Sequence, residues 1–313
     1  MSRDSIESLR HSERSEESLV VDSLASGLRM TKIFSDFLQL TKPRLVSLVL
    51  FSTMVGFYLA LPVNGELFSF LVTLLATSLV AGGSMALNQF LERETDAKMI
   101  RTQNRPLPSG RLKPVHALLF GSVVSLLGFF VFVFFVNAVA TVIALITWAS
   151  YLFIYTPLKS KTSLSTIVGA VPGALPPMIG WAGASGNVNF QSLILFAIIF
   201  FWQLPHFLAI AWMYRDDYRR AGQPILSVID KEGTFVARQM IVNMCALMLV
   251  SLLPTFFGMT SAAYFFGAFA LGICFASVVV FAATHLDARA RYVLRASVVY
   301  LTALLILMVV DKV

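Results

Sequence analysis

The chain has 313 residues, of which 57% are hydrophobic and 13% are charged, and its formal net charge is +7 at pH 7. The charged fraction is about half that of an average soluble domain, and apolar runs of roughly 20 residues, long enough to cross a bilayer, recur from about residue 45 onward. These features exclude a soluble globular fold. They predict an all-α polytopic membrane protein, because the runs lack the alternation of a membrane barrel.

The first 35 residues differ from the rest of the chain. They are polar and rich in Ser, Glu and Arg, with too little apolar surface to pack, and they lack the apolar core of a signal peptide. We expect a disordered cytoplasmic tail over residues 1–35 and a single transmembrane domain over residues 36–313. Met30 is an alternative start, because the residues after it form a partly amphipathic lead-in to the first span.

Nine apolar helices follow, which predicts a bundle of membrane-spanning helices. Their connections alternate between long, charged loops and short, neutral ones. The two cysteines lie in separate apolar runs and lack the spacing of a disulfide framework or a metal site. The expected helices span about 45–62, 67–90, 115–136, 138–156, 164–183, 191–213, 237–257, 261–283 and 292–310.

The distribution of basic residues predicts the orientation. With the N-terminus in the cytoplasm, 23 of the 24 Lys and Arg residues fall on the cytoplasmic side, and only Lys312 falls on the other. Cytoplasmic loops of membrane proteins carry such an excess of positive charge. We therefore place the N-terminus and all charged loops in the cytoplasm and the C-terminus on the opposite side, and we expect no nucleic-acid partner.

The second helix is expected to end in an acidic tip at the membrane surface. The tip carries Asn88, Glu92 and Asp96, spaced by four residues. Each step of four drifts only about 40° around a helix, so the three side chains share one stripe. Oxygen donors on one stripe suit Mg²⁺, which binds through one or two carboxylates and leaves sites for substrate phosphates. The alternative is a solvated helix end with pairs such as Glu94 and Lys98.

Basic residues follow this tip directly. Arg101 and Arg105 lie four apart, and Pro106 stops the helix. Positive charge beside a carboxylate–metal site suits a diphosphate, which takes both metal and guanidinium partners. Lys159 and Lys161 add positive charge at the cytoplasmic end of another helix. Anchoring at the cytoplasmic membrane surface is the alternative role of these residues.

A histidine lies within the sixth apolar run. Ionisable residues inside a membrane are candidates for function, so His206 is one. Asp217 follows eleven positions later, within about 20° of the same face if the helix is continuous. The alternative is that His206 only forms a hydrogen bond within the bundle.

A resemblance to the UbiA-type intramembrane prenyltransferases covers about residues 38–310. It is carried by NQFLERETDAKMIRTQNRPLPSG, YTPLKS, QLPHF and YRDDYRRAGQPIL, and within the superfamily these segments are similar to the branch that farnesylates haem. The resemblance implies nine transmembrane helices around a central cavity. At the cytoplasmic mouth of this cavity, two acidic motifs would hold Mg²⁺ and a prenyl diphosphate.

Roles for single residues follow from the resemblance by position. The first acidic motif matches Asn88, Glu92 and Asp96, which would be catalytic and would bind the metal; the superfamily commonly has Asp at the place of Glu92. The residues that match the diphosphate-binding positions are Arg101, Arg105, Lys159 and, more loosely, Lys161.

The second acidic motif departs from the pattern of the superfamily, which has two aspartates four residues apart. Here Asp216 is followed at that distance by Arg220, and Asp217 by Ala221. The resemblance still implies that Asp216 and Asp217 are metal ligands and that Asp217 is catalytic, but it leaves open whether a second Mg²⁺ has a full set of ligands.

The implied reaction joins farnesyl diphosphate to a vinyl group of haem B in a bacterial inner membrane, with water capturing the resulting cation. The acceptor would contact His206, Trp202 and Arg215, because imidazole is a common ligand of haem iron and guanidinium groups pair with propionates. The haem O produced would pass to a haem A synthase.

Two other functions stay open. A related prenyltransferase that uses a quinone precursor would be favoured by a complete second aspartate pair, which is missing. A transporter with an ion path through Glu92, Asp96 and His206 would be favoured by repeated halves. No convincing copy of NQFLERETD occurs later in the chain.

Overall fold

The computed structural model describes residues 31–61 and 67–313. Most of the expected tail, residues 1–30, lies outside the described residues, as does the segment 62–66. Within the described part, nine helices are long and apolar enough to cross a membrane, and no strand forms, so the predicted all-α fold is confirmed. The helices are α1 Pro43–Ala60, α2 Leu67–Ala97, α3 Pro114–Phe135, α4 Ala138–Leu158, α5 Ser165–Ser185, α6 Phe190–Met213, α7 Thr234–Phe256, α8 Ala262–Ala283 and α9 Leu286–Val310.

Helices α2 and α9 extend further into charged sequence than expected. Helix α2 continues to Ala97 rather than ending near residue 90, and α9 begins at Leu286 rather than near residue 292. Charged residues end a lipid-spanning pattern, but Glu, Arg and Ala are good helix formers outside the lipid. The acidic stripe is therefore part of a regular helix.

Helix α5 is interrupted near Leu175, between Ser165–Ala174 and Pro176–Ser185, because its prolines cannot complete the backbone hydrogen bonds. The second half of α5 packs closely against α1. A Cβ atom added at Gly180 would lie 1.9 Å from the carbonyl oxygen of Thr53, and one at Gly56 would lie 2.0 Å from that of Pro177. Only glycine permits this approach of two backbones.

Helix α4 contains a π-helical segment over Ser150–Tyr155. Pro157 has no N–H to donate back along the helix. The carbonyl of Tyr151 accepts the backbone N–H of Thr156 and also its hydroxyl, the latter at 2.8 Å. Such wider turns are frequent at functional sites. This one precedes Lys159, which lies just beyond the end of α4.

The helices form two packing groups that meet at α5 and α6. Helices α2 to α5 enclose a core that is mostly small and aliphatic. Helices α6 to α9, together with Val55 and Leu59 of α1, enclose a larger core that includes Met240, Tyr264 and Tyr300. Many aromatic side chains point outward, and Phe134 and Phe256 are 67% and 70% exposed. Apolar exposure of this extent is the surface expected towards lipid.

A further helix, residues 31–40, precedes α1. Its Asp36 is buried and accepts a hydrogen bond from Nε of Arg111 at 2.9 Å. The side-chain amide of Gln89 donates to the carbonyls of Gln39 and Leu40 at 3.1 and 3.0 Å. Residues 31–35, expected to belong to a disordered tail, are therefore helical, because this helix is tied to α2 and to the loop after it.

Candidate active site

The stripe of oxygen donors lies at the C-terminal end of α2. Asn88 is fully buried and Asp96 is 4% exposed, while the side chain of Glu92 is 12% exposed. Since α2 is helical to Ala97, the spacing of four places all three on one face, as expected from the sequence. Polar groups buried to this degree need partners.

Three cationic side chains from three other parts of the chain supply those partners. Nζ of Lys42, ahead of α1, donates to Oδ1 of Asn88 at 3.0 Å. Nζ of Lys159, after α4, lies 2.7 Å from Oε1 of Glu92, and a guanidinium nitrogen of Arg105 lies 2.6 Å from Oδ2 of Asp96. The tip thus brings together more positive than negative charge, which suits an anionic substrate.

Lys42 is the residue of this cluster that the sequence reasoning missed. Its backbone has φ of 50°, and among the described residues it is the only one other than glycine with positive φ. That conformation is costly for a residue with a side chain. The signal lay in the sequence, because a residue before proline is driven away from the right-handed helical region and Pro43 opens α1.

The surroundings shift the ionisation of both lysines. Burial, followed by the positive charge of Arg105, lowers the pKa of Lys42 to about 7. Burial alone would also lower the pKa of Lys159, but the neighbouring Glu92 carboxylate raises that pKa well above its ordinary value. Lys159 is thus firmly protonated, whereas the charge of Lys42 depends on the anions around it.

The C-terminal end of α4 contacts the cluster through side chains of its π-helical segment and of the residues just after it. The amide of Asn88 donates to the hydroxyl of Thr156 at 3.1 Å, and the ammonium of Lys159 lies 4.6 Å from the ring centre of Tyr155. The ring of Tyr151 lies 5.7 Å from that of Tyr155. The π-helical segment therefore places two aromatic faces, a hydroxyl and an ammonium beside the acidic stripe.

The second acidic segment reaches the loop after α2 rather than the stripe. Asp217 accepts hydrogen bonds from the backbone N–H groups of Ile100 and Arg101 at 3.1 and 3.3 Å. The guanidinium of Arg101 lies over the rings of Tyr214 and Tyr218, at 4.7 and 5.8 Å from their centres. Both Arg101 and Asp217 thus link the loop after α2 to the segment after α6.

Two further expected site residues, Asp216 and Lys161, contact neither the stripe nor the loop that Asp217 binds. Asp216 is exposed, and its carboxylate pairs with Arg219 of its own short helix at 2.6 Å. Lys161 is exposed, and no side-chain hydrogen bond or ion pair of Lys161 occurs within the described part of the chain. The structure therefore does not bring these two residues to the cluster.

The expected acceptor residues lie between α6 and α9. Nδ1 of His206 is 2.8 Å from the hydroxyl of Ser297, and its ring stacks on Trp202 with centres 4.9 Å apart. Trp202 donates to the carbonyl of Ser297 at 2.7 Å. Arg215 pairs with Asp287 at the start of α9. All three expected acceptor residues thus contact α9, not the stripe on α2.

The stripe fits a magnesium ion by its donor chemistry. Mg²⁺ takes oxygen ligands and is usually bound by one or two carboxylates together with substrate phosphates. Glu92, Asp96 and Asn88 are such donors, and their present partners are mobile side chains that pair equally well with phosphate oxygens. In the ranges that the structure describes, no three Asp, Glu, His or Cys side chains form a metal site by themselves, so a substrate would complete the coordination.

Residues 49–308 match the UbiA prenyltransferase family. This match covers most of the chain, and it agrees with a helical bundle that gathers carboxylates and cations at one end. The chain belongs to the UbiA prenyltransferase family and is a prenyltransferase.

Relatives of similar length support this placement. The protoheme IX farnesyltransferase of Solibacter usitatus is 46% identical over 287 residues, which cover 88% of this chain and 98% of the relative. That of Opitutus terrae is 40% identical over 281 residues, covering 89% and 95%. Among solved structures, a UbiA homolog from Archaeoglobus fulgidus bound to GPP and Mg²⁺ has a TM-score of 0.63 at 14% identity, covering 85% of this chain and 99% of that one.

Proposed function

We propose that the chain transfers the farnesyl group of farnesyl diphosphate to a vinyl group of haem B, with addition of water, and so produces haem O and diphosphate. The observation that carries this proposal is the convergence of Lys42, Lys159 and Arg105 on the acidic stripe of α2. The names of relatives that align over nearly their whole length support the same donor and acceptor.

The diphosphate would bind where the cations meet the stripe. Asn88, Glu92 and Asp96 would hold Mg²⁺, which when bound neutralises charge on the diphosphate as a Lewis acid. Lys159 and Arg105 would turn from the carboxylates to the phosphate oxygens and stabilise the charge that develops as the C1–O bond breaks. Each of these side chains exchanges one anionic partner for another, so each keeps a partner of opposite charge when the diphosphate binds.

The farnesyl group would then be transferred as an allylic cation. The faces of Tyr151 and Tyr155 beside Lys159 would stabilise positive charge at C1. The vinyl group supplies the electron pair for the new carbon–carbon bond, and water adds to the cation left on the acceptor. The proton that the water loses leaves with the diphosphate.

For the acceptor, we propose contact with His206, Trp202 and Arg215. Nδ1 of His206 is engaged by Ser297, and Nε2 has no hydrogen bond to the described residues, so Nε2 is the nitrogen that could ligate iron. Arg215 would exchange Asp287 for a haem propionate. The product would pass to a haem A synthase.

The test of the reaction uses purified protein in lipid nanodiscs with farnesyl diphosphate, haem B and Mg²⁺. We expect release of diphosphate and formation of haem O, both lost on chelation of the metal and both dependent on haem B. Omitting haem B and adding an aromatic quinone precursor is the control. Prenylation of that precursor without haem O would contradict the proposed acceptor.

The chain is an integral membrane protein, and we propose that it lies in a bacterial inner membrane with its charged loops in the cytoplasm. Cysteines placed at Ser109 and Ser185, in a background where Cys245 and Cys274 are replaced by Ala, should react with an impermeant thiol reagent from opposite faces, Ser109 from the cytoplasm. Labelling of both from one face would contradict this orientation.

A further inference from the structure

Asp217 lies in the short helix Arg215–Arg220 that follows α6, and it is 6% exposed. Its Oδ1 accepts the N–H of Ile100 at 3.1 Å, and its Oδ2 accepts the N–H of Arg101 at 3.3 Å. The guanidinium of Arg220 also pairs with Oδ1. Both oxygens of this carboxylate are therefore engaged, two of the three donors being backbone groups more than a hundred residues away.

These bonds hold the loop between α2 and α3. Thr102 donates from its hydroxyl to the carbonyl of Asp96 at 2.8 Å, so the chain turns tightly just where Asp217 binds it. The same loop carries Arg105, the partner of Asp96. A carboxylate fixed to residues 100 and 101 thus determines where the guanidinium that pairs with Asp96 can lie.

A second contact joins the same two segments. The side chain of Arg101 lies over the rings of Tyr214 and Tyr218, while its backbone N–H binds Asp217. Cation–aromatic contacts of this kind are weaker than charge-assisted hydrogen bonds. Asp217 is therefore the main element of the connection.

We propose that Asp217 is a positioning residue that latches the loop 98–113 to the segment after α6, and that Glu92 and Asp96, rather than Asp217, are the described carboxylates that bind the metal. The latch rests on the geometry alone. The statement about the metal rests on the proposed function.

The physical reason is the difference between side-chain and backbone donors. A Lys or Arg head can rotate away from a carboxylate and release it to a metal. The N–H groups of Ile100 and Arg101 cannot leave Asp217 unless the whole loop moves, and the two groups would then be left without partners. Asp216 cannot take over the role of Asp217 in binding the loop, because the carboxylate of Asp216 is exposed and pairs with Arg219.

The carboxylate stays charged at neutral pH. Burial alone would raise the pKa of Asp217, but hydrogen bonds from Ile100, Arg220 and Arg101 together hold this pKa below its ordinary value. A lowered carboxyl pKa means that the interaction is complete above the ordinary pKa and is lost only in acid.

The first measurement is hydrogen–deuterium exchange by mass spectrometry on the full chain in nanodiscs, without substrate. In Asp217→Ala, peptides covering residues 98–104 should exchange roughly tenfold faster or more, because two charge-assisted bonds are lost. Asp217→Asn keeps one acceptor oxygen, so its exchange rate over these residues should lie between those of the wild type and Asp217→Ala. Asp216→Ala, the matched control, should exchange like the wild type, and chelation of metal should change nothing.

The second measurement is binding of Mn²⁺, followed by electron paramagnetic resonance with a non-reacting thio analogue of farnesyl diphosphate. Asp217→Ala should keep the metal affinity of the wild type, while Asp96→Ala should lose it. In turnover, Asp217→Ala should raise KM for farnesyl diphosphate more than it lowers kcat, and Asp217→Asn should partly restore KM.

Two outcomes would overturn the proposal. Unchanged exchange over residues 98–104 in Asp217→Ala would remove the latch. A loss of Mn²⁺ affinity in Asp217→Ala as large as that in Asp96→Ala would make Asp217 a metal ligand. The exchange measurement needs neither haem nor farnesyl diphosphate, so absence of haem O formation would refute the proposed function without touching the latch.

Discussion

The two acidic segments of this chain contain the same residue type at the same face of the membrane, yet they bond to different kinds of partner. The carboxylates of Glu92 and Asp96 face the side chains of Lys159 and Arg105. The carboxylate of Asp217 accepts hydrogen bonds from two backbone N–H groups, in addition to its ion pair with Arg220 of its own short helix. Side-chain cations can exchange partners, whereas backbone donors cannot, so the first segment is suited to binding and the second to positioning.

Replacing Glu92 or Asp96 should have the largest effect. Either change to Ala removes an oxygen ligand and leaves a cation without its partner, and we expect turnover to fall roughly a thousandfold. The measurement is haem O formed in membranes, normalised to the amount of folded protein. Glu94→Ala is the matched control, because Glu94 is exposed on the same helix and pairs with Arg93.

Since an unpaired buried lysine also destabilises the fold, Glu92→Gln is a second variant that keeps the shape and loses the charge. Full activity of Glu92→Ala or Asp96→Ala would refute the assignment of the stripe to the metal.

Lys42→Met should come next. The loss of a charge-assisted hydrogen bond donor corresponds to roughly ten- to a hundredfold weaker binding of the diphosphate. We expect KM for farnesyl diphosphate to rise by this factor in Lys42→Met. In Lys42→Arg the rise should be smaller, because the positive charge is kept. Lys161→Met should change KM by less than about twofold, because this side chain is exposed and distant from any partner in the described residues. Equal effects of the two Met variants would show that Lys42 has no special place in the site.

His206→Ala should have a smaller and more selective effect. We expect affinity for haem B to fall roughly tenfold or more while affinity for farnesyl diphosphate stays unchanged, as is typical when a ligand or its support is removed. Ser297→Ala keeps the imidazole and removes only its Nδ1 partner, so its loss should be smaller. If both variants bind haem like the wild type and differ only in thermal stability, His206 serves only the packing of α6 against α9.

Removal of residues 1–29 should have the smallest effect. These residues lie outside the described part of the chain, and their expected disorder stays a prediction. A chain that begins at Met30 keeps the helix 31–40 and should retain its kcat. Asp36→Ala, which removes the buried partner of Arg111, is the comparison and should lower stability by about 1–3 kcal/mol. A large loss of kcat in the well-expressed truncation would contradict the expectation.

Much of the architecture could be predicted because it depends on local pattern. The nine spans follow from the length of apolar runs, and the acidic stripe follows from a spacing of four within one helix. The hydropathy pattern predicts too early an end for α2 and too late a start for α9, because a change between apolar and charged residues is typical of the end of a span. The helix continues there, since nothing in those residues opposes it.

The partners of the site residues could not be predicted in the same way. Lys42 is 46 positions from Asn88 and Lys159 is 67 from Glu92, and no periodicity relates residues across such distances. The role of Lys312 was equally hidden. It is the one basic residue outside the set that the sequence places in the cytoplasm, and it donates to the carbonyls of Tyr58 and Leu61 at 2.7 Å each, at the end of α1.

The amino-acid sequence by itself determined that the chain crosses a membrane, how many of the described helices are long and apolar enough to do so, and which side chains share one face of α2. These features depend on hydropathy and helical period, which act over neighbouring residues. The tertiary structure alone decided which cation meets which carboxylate and that Asp217 holds a loop. Those pairings depend on how helices and loops from separate parts of the chain meet at one end of the bundle, which is a property of the packed bundle and not of any one segment.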